Sequence, residues 1–268
     1  MDVAGYFVAV LIGMSLGLIG GGGSILTVPV LVYLFSLDEV VAITYSLFIV
    51  GTTSIAGSVA YFRKGWVDIR TAIIFGIPSV IAVFLTRRFI LPAIPQELLR
   101  FQDFTVTKPI LLMLLFAILM VLASYSMIKK DTRLKDTYVR KSTVYYFLIL
   151  AEGLFTGALT GLIGAGGGFL IIPVLVNILN IPIKTAIGTS LMIISTSSLM
   201  GFVFSISQHT IHWPFLLGIT SIAIIGILIG NFISTKIDGK KLKPAFGWFV
   251  LIMGIYIIIR ETVLMAVV

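Results

Sequence analysis

Two clusters of glycine, each followed by a proline, are the residues of this sequence most suited to binding a ligand. The first is Gly20, Gly21, Gly22 and Gly23 with Ser24 after it, and the second is Gly164, Ala165, Gly166, Gly167 and Gly168. Backbone N–H groups at the start of a helix lack partners inside that helix, and the positive end of the helix dipole favours an anion there. The clusters therefore predict an anion-binding site built mainly from backbone, while the alternative, that these glycines only permit close helix packing, stays open.

A series of hydroxyl side chains downstream of each cluster is the second candidate. Neutral hydroxyls donate hydrogen bonds to oxyanions without bringing a charge into apolar surroundings. The alternative, that they bond to carbonyls of their own helix or join neighbouring helices, stays open at each position. The candidates are Ser46, Thr52 and Thr53 in the first half and Ser190, Thr196 and Ser197 in the second, and the wider series includes Ser54, Ser195 and Ser198.

The composition indicates that membrane helices position these groups. Of the 268 residues, 59% are hydrophobic and 11% are charged, with a mean hydropathy of +1.14. Soluble domains carry about 25% charged residues, and the apolar runs here have the length of helices, not of barrel strands. The predicted fold class is therefore an all-α polytopic membrane protein. The chain has no cysteine, which excludes thiol chemistry, and its net charge of +8 is spread over short segments, which does not suit nucleic acid.

Charged residues and prolines divide the chain into eight apolar blocks. These are 4–35, 40–62, 71–86, 109–128, 144–179, 185–207, 214–235 and 246–259. Six have about the length of one membrane span, whereas the first and fifth are too long and are interrupted by the glycine clusters. The chain starts without a basic segment, so we expect the first block to be retained. Ser36 and Glu39 have the spacing of a capping box, and 89–104 is predicted to be an amphipathic surface segment.

An internal repeat relates the two halves of the chain. Residues 17–32 align with residues 161–176 at an offset of 144, with 11 of 16 positions identical. Ser46 and Ser190 match at the same offset. The predicted organisation is a first membrane repeat at 1–128, a basic cytoplasmic linker at 129–143 and a second membrane repeat at 144–268.

The positive charges favour one of two topologies, because cytoplasmic loops collect Lys and Arg. If every block crosses the membrane once, the 19 basic residues divide almost evenly between the two sides. If the first and fifth blocks are hairpins that return to their own side, 14 of the 19 share one side. Each repeat then crosses three times, so we expect inverted repeats with both termini outside.

Other features suggest packing rather than chemistry. Glycines at 13 and 17, 157 and 161, and 226 and 230 have the spacing of close helix packing. The residues around Ser15 match the letters of a hydrolase nucleophile elbow, but they lie in an apolar helix, so an intramembrane serine enzyme is a remote alternative. Glu152 is assigned to an interfacial or structural role. His209 and His212 have the spacing of two metal ligands, but no carboxylate or thiol lies nearby in the sequence, so we expect a solvated loop there. We expect no catalytic residue, metal or cofactor.

A glycine and proline motif occurs once in each repeat. It reads Gly17-Leu-Ile-Gly-Gly-Gly-Gly-Ser with Pro29-Val-Leu, and then Gly161-Leu-Ile-Gly-Ala-Gly-Gly-Gly with Pro173-Val-Leu. In this motif the chain resembles the TauE/SafE family of sulfite and organosulfonate exporters, also called the toluene sulfonate uptake permease family. The resemblance covers essentially the whole chain. It implies a bacterial or archaeal plasma-membrane permease for a sulfur oxyanion or organosulfonate, without ATP hydrolysis.

The residues and the resemblance together predict a secondary transporter that works by alternating access, with one repeat rocking against the other. The anion is expected near the middle of the membrane, between the glycine clusters and the hydroxyls. An anion channel of the same architecture is the nearest alternative. The expected partners are the small anionic substrate and the lipid bilayer, with a homodimer left open and no nucleic acid.

Overall fold

The computed structural model describes residues 3–101, 104–128, 143–164, 166–177, 179, 181–206, 210–234 and 239–267. The linker predicted at 129–143 lies outside the described residues except for Thr143, as do Ala165 and His209.

Helices form most of the described chain. The first repeat contains α1 (Val3–Ile19), a 3₁₀-helix (Gly20–Leu26), α2 (Thr27–Tyr33), α3 (Glu39–Phe62) and α4 (Ile69–Leu85), and after a connecting segment α6 (Lys108–Ile128). The second repeat contains α7 (Thr143–Ile163), α8 (Gly168–Asn177), α9 (Ile183–Ser205), α10 (Trp213–Ser234) and α11 (Gly239–Val267). The predicted class, a helical polytopic membrane protein, is confirmed.

The segment between α4 and α6 adds a feature to the predicted helical fold. A π-helix (Thr86–Ile90) continues α4 and is followed by the short helix α5 (Leu91–Ala93). Strands β1 (Glu97–Phe101) and β2 (Phe104–Thr107) then pair as an antiparallel hairpin. Pro95 ends the helical region, and the β-branched residues of β2 favour an extended backbone. The amphipathic segment predicted at 89–104 is therefore divided between helix and strand.

The described helices have the length and the surface of membrane spans. Five are long and apolar enough to cross a bilayer: Glu39–Phe62, Ile69–Ala93, Lys108–Tyr125, Ile183–Ser205 and Trp213–Ser234. Their outward faces carry large apolar side chains, such as Ile77 at 58% and Leu122 at 62% exposure, whereas several hydroxyl side chains are fully buried. This distribution suits a protein whose surface contacts lipid.

The start of α3 differs from the predicted capping box. Asp38 is the N-cap, and its side chain accepts hydrogen bonds from the N–H groups of Val40 and Val41 at 3.0 and 3.3 Å. Ser36 has a φ of 52° and lies before the helix. The prediction of Ser36 as the cap is wrong because an aspartate closer to the helix competes for the same N–H groups.

Close packing of α1 on α10 confirms the structural role predicted for the spaced glycines. Gly13 and Gly17 lie directly against the backbone of α10 at Ala223 and Ile227, and a Cβ on either glycine would overlap a carbonyl oxygen there. The second repeat makes the equivalent contact, in which Gly157 lies against Ser79 of α4. Gly13 and Gly157 are 144 residues apart, and so are Ala223 and Ser79. The same packing contact therefore occurs twice, once with the glycine in the first repeat and once with the glycine in the second.

The first broken helix returns to the end at which it began. The ring of Phe35, just beyond α2, lies so near the start of α1 that a Cβ on Gly5 would be 2.6 Å from Phe35 Cζ. The equivalent residues of the second repeat, Ile149 and Leu179, are buried in one apolar cluster. A single span would place residues 5 and 35 about 30 Å apart. The first broken helix therefore has the form of a hairpin, and the cluster shared by Ile149 and Leu179 supports the same form for the second.

Helices α3 and α9, which are equivalent in the repeat, run antiparallel. Phe48 near the start of α3 packs on Phe202 near the end of α9, with ring centroids 4.9 Å apart. Towards the other end, Gly57 of α3 lies against Leu191 of α9. Residue numbers thus rise along one helix as they fall along the other.

Two lysines from different repeats meet at one end of the helical bundle. Lys64, after α3, and Lys184, at the start of α9, place their Nζ atoms 5.3 and 4.9 Å from the centre of the Trp66 ring. The topology with every block crossing once requires these two lysines to lie on opposite sides. Their shared contact agrees with the hairpin topology.

Candidate functional site

The tips of the two hairpins reach across the centre of the molecule in matching ways. Gly20 has a φ of 71° and lies against Ile187 of α9, and Gly164 has a φ of 74° and lies against Ile43 of α3. Both pairs are related by the offset of 144. A left-handed backbone at these points favours glycine, so these two cluster residues have a defined structural requirement. Each tip is held by the central helix of the opposite repeat.

Most of the hydroxyls predicted to bind the anion donate to backbone carbonyls in this structure. Ser46 donates to Gly164 O at 2.6 Å, Thr53 to Ile49 O at 2.6 Å, Ser190 to Ile187 O at 2.8 Å, Thr196 to Met192 O at 3.0 Å and Ser197 to Ile193 O at 2.9 Å. A hydroxyl has one hydrogen to donate, so these groups do not offer it to a ligand in this conformation. Ser46 joins α3 to the second tip, Thr196 lies on an exposed face, and Thr52 is half-buried.

Two other hydroxyls of the same series are buried without a hydrogen-bond partner among the described residues. Ser54 on α3 and Ser198 on α9 are fully buried and occupy equivalent positions in the repeat. A Cβ on Gly166 would lie 3.3 Å from Ser198 Oγ, so this hydroxyl faces the second tip. An unsatisfied buried hydroxyl costs about 1–3 kcal/mol, and a ligand at the tip would remove that cost.

The second tip offers the more complete set of donors. Gly166 and Gly167 have φ values of 67° and 65°, and α8 starts at Gly168 and continues for ten residues. The first N–H groups of such a helix have no acceptor inside it. Thr156 of α7 lies against Gly167 through its methyl carbon Cγ2, and its hydroxyl has no partner among the described residues. Backbone donors and the Ser198 hydroxyl therefore lie at one tip, with Thr156 beside them.

The first tip is built differently. Gly20, Gly21, Gly22, Gly23 and Ser24 belong to the 3₁₀-helix, which runs directly into the seven-residue helix α2. Ser24 is buried in the interior. The start of α2 is thus continuous with the preceding 3₁₀-helix, whereas α8 begins after a turn at Gly166 and Gly167. The two glycine clusters are therefore equivalent in sequence but differ in local backbone structure.

Ser15 does not have the surroundings of a nucleophile. It lies inside α1, and its hydroxyl donates to Ile12 O at 2.8 Å. A nucleophile elbow requires a turn between a strand and a helix. The hydrogen bond within the helix is the ordinary behaviour of a serine in a membrane span.

The sequence patterns miss three buried charged residues because these lie just beyond the predicted apolar blocks: Arg87, Lys108 and Glu261. Lys108 Nζ donates to Leu91 O. Arg87 is fully buried, although the third predicted block ends at residue 86. Glu261 is also buried and accepts a 2.7 Å hydrogen bond from Tyr33 Oη, while the Arg260 guanidinium lies 3.9 Å from the centre of the Tyr33 ring. The contacts of Tyr33 with Glu261 and Arg260 join the end of the first hairpin to α11. The repeat contains one signal for Arg87. The residue at the equivalent position, Asn231, is also polar and lies inside a predicted apolar block.

A groove elsewhere on the surface does not suit an anion. It has a volume of about 380 Å³, lies between α6 and α11, and is lined mainly by apolar side chains such as Val121 and Leu251. None of the described residues that line it is charged. The hairpin tips are therefore the better candidate site.

Broken helices whose tips meet inside a bundle of membrane spans define a class, the multi-pass membrane transporters. The family model described as "Sulfite exporter TauE/SafE" matches residues 6–257. The chain belongs to this family. The resemblance drawn from the glycine and proline motif is thereby confirmed.

Relatives of similar length support the same class. Each is named a "Probable membrane transporter protein": one from Xylella fastidiosa (strain 9a5c) is 30% identical, with 94% of this chain and 92% of the relative covered. One from Bacillus subtilis is 28% identical (94% and 97% covered), and one from the archaeon Methanocaldococcus jannaschii is 25% identical (93% and 94% covered). No solved structure matches the chain. The protein is thus a membrane transporter of the TauE/SafE family.

Proposed function

We propose that this protein is a secondary transporter that exports a sulfur oxyanion or an organosulfonate, such as sulfite, across the plasma membrane of a prokaryote. The description of the family supports the substrate class, and the bacterial and archaeal relatives support the location. One observation carries the proposal: two equivalent hairpin tips meet the central helices of the opposite repeats, and the Ser198 hydroxyl, which has no partner among the described residues, faces the second tip.

Inverted repeats give such a protein a simple route to alternating access. The antiparallel packing of α3 and α9 and the shared end of Lys64 and Lys184 support an inverted relation between the repeats. If the repeats exchange conformations, a state open to one side becomes a state open to the other. In this topology the end that carries Lys64 and Lys184 faces the cytoplasm, and both termini lie outside.

The anion binds at the second tip in this proposal, between the start of α8 and the hydroxyl of Ser198. Each hydrogen bond to a charged acceptor stabilises the bound anion by about 1.5–3 kcal/mol. The membrane potential, negative inside, favours export by about 2.3 kcal/mol per charge for each 100 mV. Export then needs no titratable residue at the site.

Counterflow in proteoliposomes tests the proposal and separates a carrier from a channel. Purified protein is reconstituted with unlabelled sulfite inside, and the entry of radiolabelled sulfite is measured with and without an imposed potential. We expect saturable entry that internal sulfite stimulates and that responds to the potential, with protein-free liposomes as the control. Flux that neither saturates nor responds to internal sulfite would indicate a channel. Absence of flux for sulfite and for sulfonates alike would overturn the proposed substrate class.

A further inference from the structure

The side chain of Arg87 is the most unusual buried group among the described residues. It is 0% exposed, and none of its three guanidinium nitrogens has a hydrogen-bond partner in the described part of the chain. Removing an arginine from water without a partner costs several kcal/mol. A protein tolerates such a cost where a ligand supplies the missing negative charge.

Arg87 is placed beside the second hairpin. It belongs to the π-helix Thr86–Ile90, which packs against both α7 and α9. Thr86, its neighbour, lies against Gly161, three residues before the second tip. Leu91, one turn further on, is buried in the same cluster as Ile163 before the second tip and Ile25 after the first. π-Helical turns within α-helices are frequent at functional sites.

The repeat places a second unpartnered polar side chain at the equivalent position. Asn231 is 6% exposed, and neither its amide nitrogen nor its amide oxygen has a partner among the described residues. Its backbone lies against Gly17, three residues before the first tip, as Thr86 lies against Gly161. Each hairpin is therefore accompanied by a buried polar residue at the same position, and one of the two carries a charge.

We propose that Arg87 binds the oxyanion group of the transported substrate directly, an inference that rests on the proposed function. A guanidinium presents two parallel N–H groups that match two oxygens on one sulfur atom. Lys108, a buried cation on the neighbouring α6, donates to Leu91 O, which leaves Arg87 to balance a single negative charge. The preferred substrate class is therefore a monoanion such as a sulfonate, while a dianion such as sulfate would leave one charge unbalanced.

Binding of methanesulfonate to the purified full-length protein tests this proposal. The variants are Arg87→Gln and Arg87→Lys, and the control is Arg88→Gln, because Arg88 is the next residue and is exposed. Affinity is measured by calorimetry, and the melting temperature is measured without ligand. We expect Arg88→Gln to bind as the wild type does, Arg87→Gln to bind at least tenfold more weakly, and Arg87→Lys to fall between them. Wild-type protein should bind sulfate at least tenfold more weakly than methanesulfonate.

The melting temperature separates a binding role from a structural one. Without ligand, Arg87→Gln should melt at the same temperature as the wild type or higher, because the variant removes a buried charge that has no partner. Loss of folding in both Arg87 variants would overturn the inference by showing that the guanidinium supports the fold. Unchanged methanesulfonate affinity in Arg87→Gln would overturn the inference and leave the proposed function intact. Wild-type protein that neither binds methanesulfonate nor transports sulfite would overturn both.

Discussion

Ser195 and Ser198 lie one turn apart on α9, but their hydroxyls differ in what they can offer a ligand. Ser195 Oγ donates to Met192 O at 2.8 Å, whereas Ser198 Oγ has no partner among the described residues and faces Gly166. The sequence indicates that both are hydroxyls in an apolar helix. It does not indicate which hydroxyl bonds to its own helix, since that depends on the side-chain rotamer and on the neighbouring tip.

Replacement of the two serines provides a matched test at the residue scale. Ser198→Ala should weaken binding of methanesulfonate by about 10- to 100-fold, because one hydrogen bond to a charged acceptor is lost. Ser195→Ala should leave the affinity within about twofold, since its hydroxyl is already occupied. Calorimetry on both purified variants measures the difference. Equal affinities in the two variants would remove Ser198 from the site.

The broken helices and their packing were largely predictable, whereas their charged neighbour was not. The offset of 144 identified the repeat, and the distribution of Lys and Arg favoured hairpins, which the contact of Phe35 with Gly5 bears out. Arg87 was missed because adjacent basic residues normally end a membrane span. Here α4 continues as a π-helix and turns Arg87 inward, a result of tertiary packing that no local pattern encodes.

Gly230 and Gly218 on α10 provide a matched test of helix packing. A Cβ on Gly230 would overlap the backbone of α1 at Met14, whereas a Cβ on Gly218 meets nothing within 4 Å. Gly230→Ala should therefore lower the free energy of unfolding by about 1–3 kcal/mol, and Gly218→Ala should leave it nearly unchanged. Thermal unfolding in detergent measures both variants. Equal melting temperatures would show that the contact of α1 with α10 contributes little to stability.

At the scale of the whole molecule, the two repeats are related by exchanged contacts. Gly20 packs on Ile187 as Gly164 packs on Ile43, and the central helices α3 and α9 run antiparallel. This relation agrees with the asymmetry of the basic residues, which was visible in the sequence alone. The sequence could not indicate how deeply each tip enters the opposite repeat, because that depth follows from the tertiary packing of the glycines.

Single cysteines test the topology without interference, because the chain contains none. The positions are Lys64, Lys184 and His212, which are exposed at the ends of helices. With a membrane-impermeant maleimide on intact cells, Lys64→Cys and Lys184→Cys should both react only after permeabilisation, and His212→Cys should react from outside. If every broken helix were one span, Lys64→Cys would instead behave like His212→Cys and unlike Lys184→Cys.

The central claim is that the second tip is open first to one side of the membrane and then to the other. Chemical labelling of this tip from each side tests that claim most directly. In proteoliposomes of known orientation, Ser198→Cys is exposed to an anionic, membrane-impermeant methanethiosulfonate from either side. We predict that the introduced thiol reacts from both sides, at rates that an imposed potential shifts in opposite directions. Methanesulfonate, at a concentration well above its dissociation constant for this variant, should slow both reactions. Reaction from one side alone, or rates that methanesulfonate does not change, would contradict alternating access at this tip.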